Sequence, residues 1–244
     1  NLVYTKNKIV HLSESMRAYN EKMRQQATEK TNSTPVALYE DGLSMNTIWA
    51  VPSAGIDPQT GNEIYIKKDG SYTYTYDSND IIPAGDETPK YRGTAGFSAE
   101  YKGIGLSATF SFLAGSQMYN RTLVNRVENI NMNYNVDRRV LTGRWQIPGQ
   151  QSQYKRLSGT DEYGNPTVMT QPTTRFIQDR NELSISSISA YYEFPQRIYQ
   201  KLHMQRLKCA IYLNDVYTFS SIKIERGTTY PFARTLSFSL TGTF

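Results

Sequence analysis

The chain has 244 residues, with 27 Lys and Arg against 22 Asp and Glu, and its net charge of +5 is dispersed. Dispersed charge argues against nucleic-acid binding, which concentrates a basic stripe. With 38% hydrophobic residues and a mean hydropathy of -0.58, no run approaches the ~20 apolar residues of a spanning helix; a membrane β-strand leaves no such run and stays open.

The single Cys209 excludes an intrachain disulfide, and with only His11 and His203 beside it a Cys/His zinc site is not expected. The chain opens at Asn1 as if in mid-strand, so a piece of something longer is expected. The first strand is expected over about 2–12.

A long connection follows, about 13–92. "SESMRAYNEKMRQQATEK" has Met16, Tyr19 and Met23 at helical spacing and reads as a solvated helix. "GIDPQTGNEIYIKKDGSYTYTYD" carries turn signals at Asp57-Pro58 and Asp69-Gly70 and reads as a small hairpin. Tyr72, Tyr74 and Tyr76 alternate there. Rings on one face offer a sugar-stacking platform, or simply pack on a neighbouring strand. Asp77, Asp80 and Asp86 lack the EF-hand spacing and read as solvated loop carboxylates.

"GTAGFSAEYKGIGLSATFSF" alternates on both sides of Lys102–Gly105. It reads as a hairpin of strands at about 94–102 and 105–114, with glycines supplying positive φ. After a second long connection, about 115–181, "LSISSISAYYEF" forms a strand over about 183–194. Its phase slips at Ser186-Ser187, as at a β-bulge. A short basic connection leads to a strand at about 206–214. A third long connection, about 215–233, precedes the last strand, 234–244, "RTLSFSLTGTF".

Short and long connections alternate, as they do between the periplasmic turns and extracellular loops of an outer-membrane barrel. Strands of about 9–11 residues suit a tilted crossing. On this reading Leu236, Phe238 and Leu240 face lipid, Ser237 and Ser239 face the lumen, and Phe244 ends at the periplasmic interface. Tyr101, Tyr192 and Phe194 fall at the same depth, as an aromatic girdle. No converging acid, base and nucleophile are evident, so an enzyme is not expected.

Five blocks carry a further signal: "GIDPQTGNEIYI", "PKYRGTAGFSAEYKGIGLSATFSFLAGSQMYN", "DRRVLTGRWQIPGQ", "TTRFIQDRNELSISSISAYYEFP" and "LNDVYTFSSIKIERGTTYPFARTLSFSLTGTF". In this order they resemble the C-terminal part of the SusC/RagA group of TonB-linked outer-membrane proteins of Bacteroidetes. The resemblance implies an all-β, antiparallel transmembrane β-barrel of the class with about 22 strands, of which this chain supplies about six at the C-terminal end, with long extracellular loops. It implies import of oligosaccharides or peptides, energised through TonB, beneath a SusD-type lipoprotein lid, in the outer membrane of a Gram-negative bacterium. The family's plug and TonB-contact segment match nothing in this chain. Terminal aromatics such as Phe244 serve as an assembly signal in such barrels; Gly242 stands where a larger apolar residue is usual. Trp145 lies in the family-like "GRWQIPG" stretch, as a substrate contact or as loop packing. No cofactor or metal is implied. The alternatives are a secreted, soluble all-β glycan-binding module and a passive barrel without energy coupling.

Overall fold

The computed structural model describes residues 1–28, 33–157, 159, 161–164, 166, 168–223 and 234–244. In chain order the strands are β1 (Leu2–Tyr4), β2 (Thr47–Ala50), β3 (Ser53–Ile56), β4 (Glu63–Ile66), β5 (Tyr72–Thr73), β6 (Ile82–Asp86), β7 (Tyr91–Tyr101), β8 (Ile104–Tyr119), β9 (Ile177–Glu193), β10 (Arg206–Ser220) and β11 (Thr235–Thr243). Helix α1 (Glu14–Ala27) lies between β1 and β2. No helix among the described residues is long and apolar enough to cross a membrane.

The chain divides into two compact units. The first holds a six-stranded antiparallel sheet in the order β1-β7-β8-β9-β10-β11, a meander in which each strand pairs with the next of the set. The fold class is the one expected, an all-β antiparallel barrel segment.

The strand limits differ from those read in the sequence. The first strand is Leu2–Tyr4, paired with Gly93–Tyr91, and does not run to residue 12. Strands β8, β9 and β10 extend well into what was read as loop, to Tyr119, from Ile177 and to Ser220. The expected connection at 215–233 lies partly outside the described residues, as does "RGTTYPFA" within the last family-like block.

The β7–β8 hairpin turns on Lys102 and Gly103, with φ of 48° and 81°. Positive φ at both central positions is what a two-residue hairpin turn needs to match the strand twist. Gly105 is not part of that turn. It pairs with Glu100 inside the ladder, and its role comes from a neighbour across the sheet.

The second unit contains α1, β2 to β6 and the segment 116–179. α1 begins where the Ser13 side chain accepts a bond from the Met16 N–H, 3.4 Å, an N-cap that satisfies one of the first turn's orphan donors. Its mostly polar surface is solvated, and Ala27 and Met23 turn inward onto Leu38, Trp49, Val51 and Ile81. A second cluster gathers Ile48, Tyr119, Val124, Val127, Ile130, Val140, Tyr154 and Phe176. These two cores give the unit its own buried interior.

Candidate functional site

The six-stranded sheet has two chemically distinct faces. Side chains alternate along a strand, and cross-strand partners share a face. From Leu236, Phe238 and Leu240 the register passes to Leu213, Ile211 and Cys209, then to Ile188, Ala190 and Tyr192. In the β7–β8 pair, Phe97, Ala95 and Ala99 lie opposite Ala108, Phe110 and Leu106. The other face carries hydroxyls: Ser98 opposite Ser107, Thr94 opposite Ser111, and Ser237 and Ser239 opposite Tyr212 and Ala210.

Hydroxyl pairs tie this polar face together. Ser107 meets Ser189 at 2.7 Å, Ser111 meets Ser186 at 3.0 Å, and Ser184 meets Thr218 at 2.9 Å. Ser107 and Ser111 share a face by regular alternation, so Ser186 and Ser189 share one too, although three residues separate them. That requires β9 to change phase between them, near the slip read at Ser186-Ser187, while in the β9–β10 pairing the extra residue stands on β10, between Asn214 and Tyr217 opposite Ser187 and Ile185. The β9–β10 register shifts at the same level, between Asn214 and Tyr217, where Asp215 has a φ of 51°. The shift keeps Tyr217 and Phe219 on the apolar face beyond it.

The apolar face is framed by aromatics at both ends. At the short-turn end are Tyr101, Tyr192 and Phe194, the last two with ring centroids 5.0 Å apart, and the exposed Phe244. At the loop end stand Tyr4 against Tyr91 (5.3 Å) and Tyr217 against Phe219 (4.7 Å). This second belt was missed in the sequence because Tyr217 and Phe219 lie past the phase shift and Tyr91 precedes the expected strand. Tyr91 and Tyr101 bound one 11-residue strand. Ten steps of about 3.3 Å give about 33 Å along the strand. At a barrel tilt of about 40° that is about 25 Å of height, the thickness of an outer-membrane apolar band. Leu236, Phe238 and Leu240 are 63–68% exposed between the belts.

The tyrosines of "SYTYTYD" do not make one platform. β5 ends at Thr73, and the three rings then part. Tyr72 is exposed. Tyr74 donates its hydroxyl to Asp57 Oδ2 at 2.9 Å. Tyr76 turns onto the Trp49 and Val51 core, edge-on to Tyr65 at 5.7 Å. Trp145 is half-buried and spent on packing. Its Nε1 donates to the Pro58 carbonyl at 2.8 Å, and its ring covers Gly61, where a Cβ would stand 2.5 Å from it.

The same turn holds Asp57, which accepts from the Gln59 N–H (2.9 Å), the Thr60 hydroxyl (2.7 Å) and Tyr74. Bonds from Thr60, Gln59 and Tyr74 hold its carboxyl below the usual Asp value. They stabilise the charged form.

A buried charge cluster was not visible in the sequence. Arg175 Nη2 donates to Glu63 Oε2 at 2.9 Å and to Glu128 Oε1 at 2.6 Å, and its Nη1 donates to the Gln153 carbonyl at 2.7 Å. Its guanidinium lies 4.3 Å from the Phe176 ring centroid. The side chains of Glu63 and Glu128 are 1% and 0% exposed. Burial works against the Arg175 charge, but the two carboxylates outweigh it and raise the pKa. Beside them Arg144 donates to the carbonyls of Lys155, Glu128 and Val127. Burial lowers the pKa of both Arg144 and Lys155. No group of three His, Cys, Asp or Glu suited to a metal occurs among the described residues. The cluster is a tie between distant segments.

Neither a protein-family profile nor a curated protein matches the chain. Solved structures do. A chain of the RagAB peptide transporter matches with a TM-score of 0.62 at 19% identity, over 80% of this chain and 21% of that one. The RagAB peptide importer in its open-open state matches with a TM-score of 0.67 at 18% identity, over 88% of this chain and 24% of that one. In its closed-closed state the values are 0.59, 18%, 79% and 21%. The chain thus spans between a fifth and a quarter of the chains it matches, and it shares their fold over that span.

Proposed function

We propose that this chain is part of an outer-membrane active transporter, its first unit a piece of the barrel wall and its second, the loop unit, made of the long connections. The apolar face meets lipid and the hydroxyl face lines the lumen. The observation that carries this reading is the apolar face itself, continuous over β7 to β11 and bounded by aromatics at both ends. A soluble sandwich would bury such a face, and aromatic belts at its two ends would have no purpose there.

The short turns are then periplasmic and the loop unit extracellular. The fold likeness to the RagAB importer and the sequence resemblance to the SusC/RagA group favour import of oligosaccharides or peptides. On the same grounds a SusD-type lipoprotein acts as lid, TonB supplies energy through another part of the protein, and a plug fills the barrel. The cell is a Gram-negative, Bacteroidetes-like bacterium. The residues named here bind and enclose; none performs a reaction.

Uptake measured in cells with and without the gene tests the function. Loss of growth on an oligosaccharide or peptide source, with uptake abolished by a protonophore, is the expected result. Uptake insensitive to the protonophore points to a passive barrel, and unchanged uptake of both classes overturns the reading.

A further inference from the structure

We propose that the short-turn rim of the sheet binds the headgroup of an anionic phospholipid through Lys102, Arg197 and Lys201. The proposal rests on the membrane reading of the apolar face.

Three stretches of chain are fastened into this rim. The Glu193 N–H donates to the Gly103 carbonyl at 2.7 Å, which ties the β7–β8 turn to the end of β9. The connection after β9 winds through helical turns at Gln196–Tyr199 and Gln200–Leu202. It then reaches β11, where the Gln205 N–H donates to the Thr243 carbonyl at 2.7 Å. The Met204 side chain lies over Gly242, where a Cβ would stand 3.2 Å from its Cε. The β9–β10 connection is thus flanked on both sides by other parts of the same rim.

The rim carries charge of one sign. Residues 101–105, 194–205 and 241–243 contain Lys102, Arg197 and Lys201 and no Asp or Glu. All three cations are exposed. The carboxylates nearest in sequence, Glu100 and Glu193, belong to the hydroxyl face. There Glu100 accepts from the Tyr191 hydroxyl at 2.6 Å, and Glu193 accepts from Arg206 at 2.7 and 2.6 Å. The opposite ends of the strands mix signs, with Arg180 and Glu182 paired at 2.7 Å.

Position selects a lipid over a free anion. Tyr101 stands in the aromatic belt of the apolar face, and Lys102 Nζ lies 5.1 Å from its ring centroid. Lysine and arginine lay their carbon stems on apolar surface and hold the charge at headgroup level. A phosphate tethered to acyl chains on the apolar face meets a cation at that depth. A free phosphate gains nothing from the apolar ground beneath it.

Native mass spectrometry of the intact protein, released from nanodiscs of equal phosphatidylglycerol and phosphatidylcholine, reads the preference. Retained phosphatidylglycerol should exceed phosphatidylcholine on the order of tenfold, because each basic residue near a membrane surface favours anionic lipid. The triple variant Lys102→Asn, Arg197→Gln, Lys201→Gln removes the excess, and Arg92→Gln, at the other end of β7, keeps it. An excess of inorganic phosphate leaves the lipid in place.

Equal retention of the two lipids by the wild type, an excess that survives in the triple variant or is lost in Arg92→Gln, or displacement by inorganic phosphate overturns the proposal. The wild-type comparison stands even where a variant fails to fold. Equal retention leaves the wall reading intact, whereas retention of neither lipid counts against that reading and this site together.

Discussion

Tyr191 on β9 lies flat across Gly105 on β8, and its hydroxyl donates to Glu100 Oε2 on β7 at 2.6 Å. A Cβ at position 105 would stand 2.1 Å from Tyr191 Cε1. The missing side chain is therefore the seat of the ring, and it lets one tyrosine bridge three strands. Lys208 Nζ covers the ring from β10 at 3.7 Å from its centroid.

Gly105→Ala evicts that ring. The expected cost is about 1–3 kcal/mol, the range for overpacking a fitted site. In a double-mutant cycle the cost largely vanishes on a Tyr191→Ala background, because the two residues share one contact. Denaturant unfolding of the detergent-folded intact protein reads both values. Equal costs on the two backgrounds would contradict the bridge.

Arg175→Gln leaves two buried carboxylates without their cation. Removing one partner of a buried ion pair costs about 3–5 kcal/mol. The effect is concentrated in the loop unit, so limited proteolysis there should accelerate while the six-stranded sheet stays protected. Glu63→Gln is expected to be milder, since Arg175 keeps Glu128. A silent Arg175→Gln variant would rule out the tie.

The two-faced strands were legible because period-2 alternation survives wherever one face is apolar and the other polar. β11 and the β7–β8 hairpin therefore read directly. β9 and β10 were read short because "QDRNEL" and "DVYTFS" mix classes near the phase shift, and only pairing with a neighbour fixes their register. The ion cluster was invisible for another reason. Arg175 is 112 residues from Glu63 and 47 from Glu128, and no local pattern marks residues that meet only through the fold. Gly105 was read as a turn glycine because its partner, Tyr191, is distant in sequence.

Trp145→Phe separates packing from ligand contact. The smaller ring still covers Gly61, but the bond to the Pro58 carbonyl is lost, at a cost of about 1 kcal/mol. Stability should fall by that amount with ligand affinity unchanged. A large affinity loss at unchanged stability would return Trp145 to the ligand.

The Asp57 turn should loosen in acid. The folded carboxyl titrates below its unfolded value. Its bonds therefore contribute fully above about pH 4, the ordinary Asp range, and are lost as pH falls through the folded value. Amide exchange at Gln59 is expected to gain an acid-dependent opening that Asp57→Asn lacks. An identical pH response in the variant would assign that opening to another group.

The central claim is that the sheet separates lipid from lumen. Single cysteines at Leu236, Phe238 and Leu240, and at Ser237, Ser239 and Thr241, placed in the intact protein on a Cys209→Ala background and labelled with a fluorophore, test it directly in a bilayer. The account predicts strong quenching of the first set by a lipid-soluble quencher and of the second by an aqueous one. Equal quenching of both sets by either agent would contradict it.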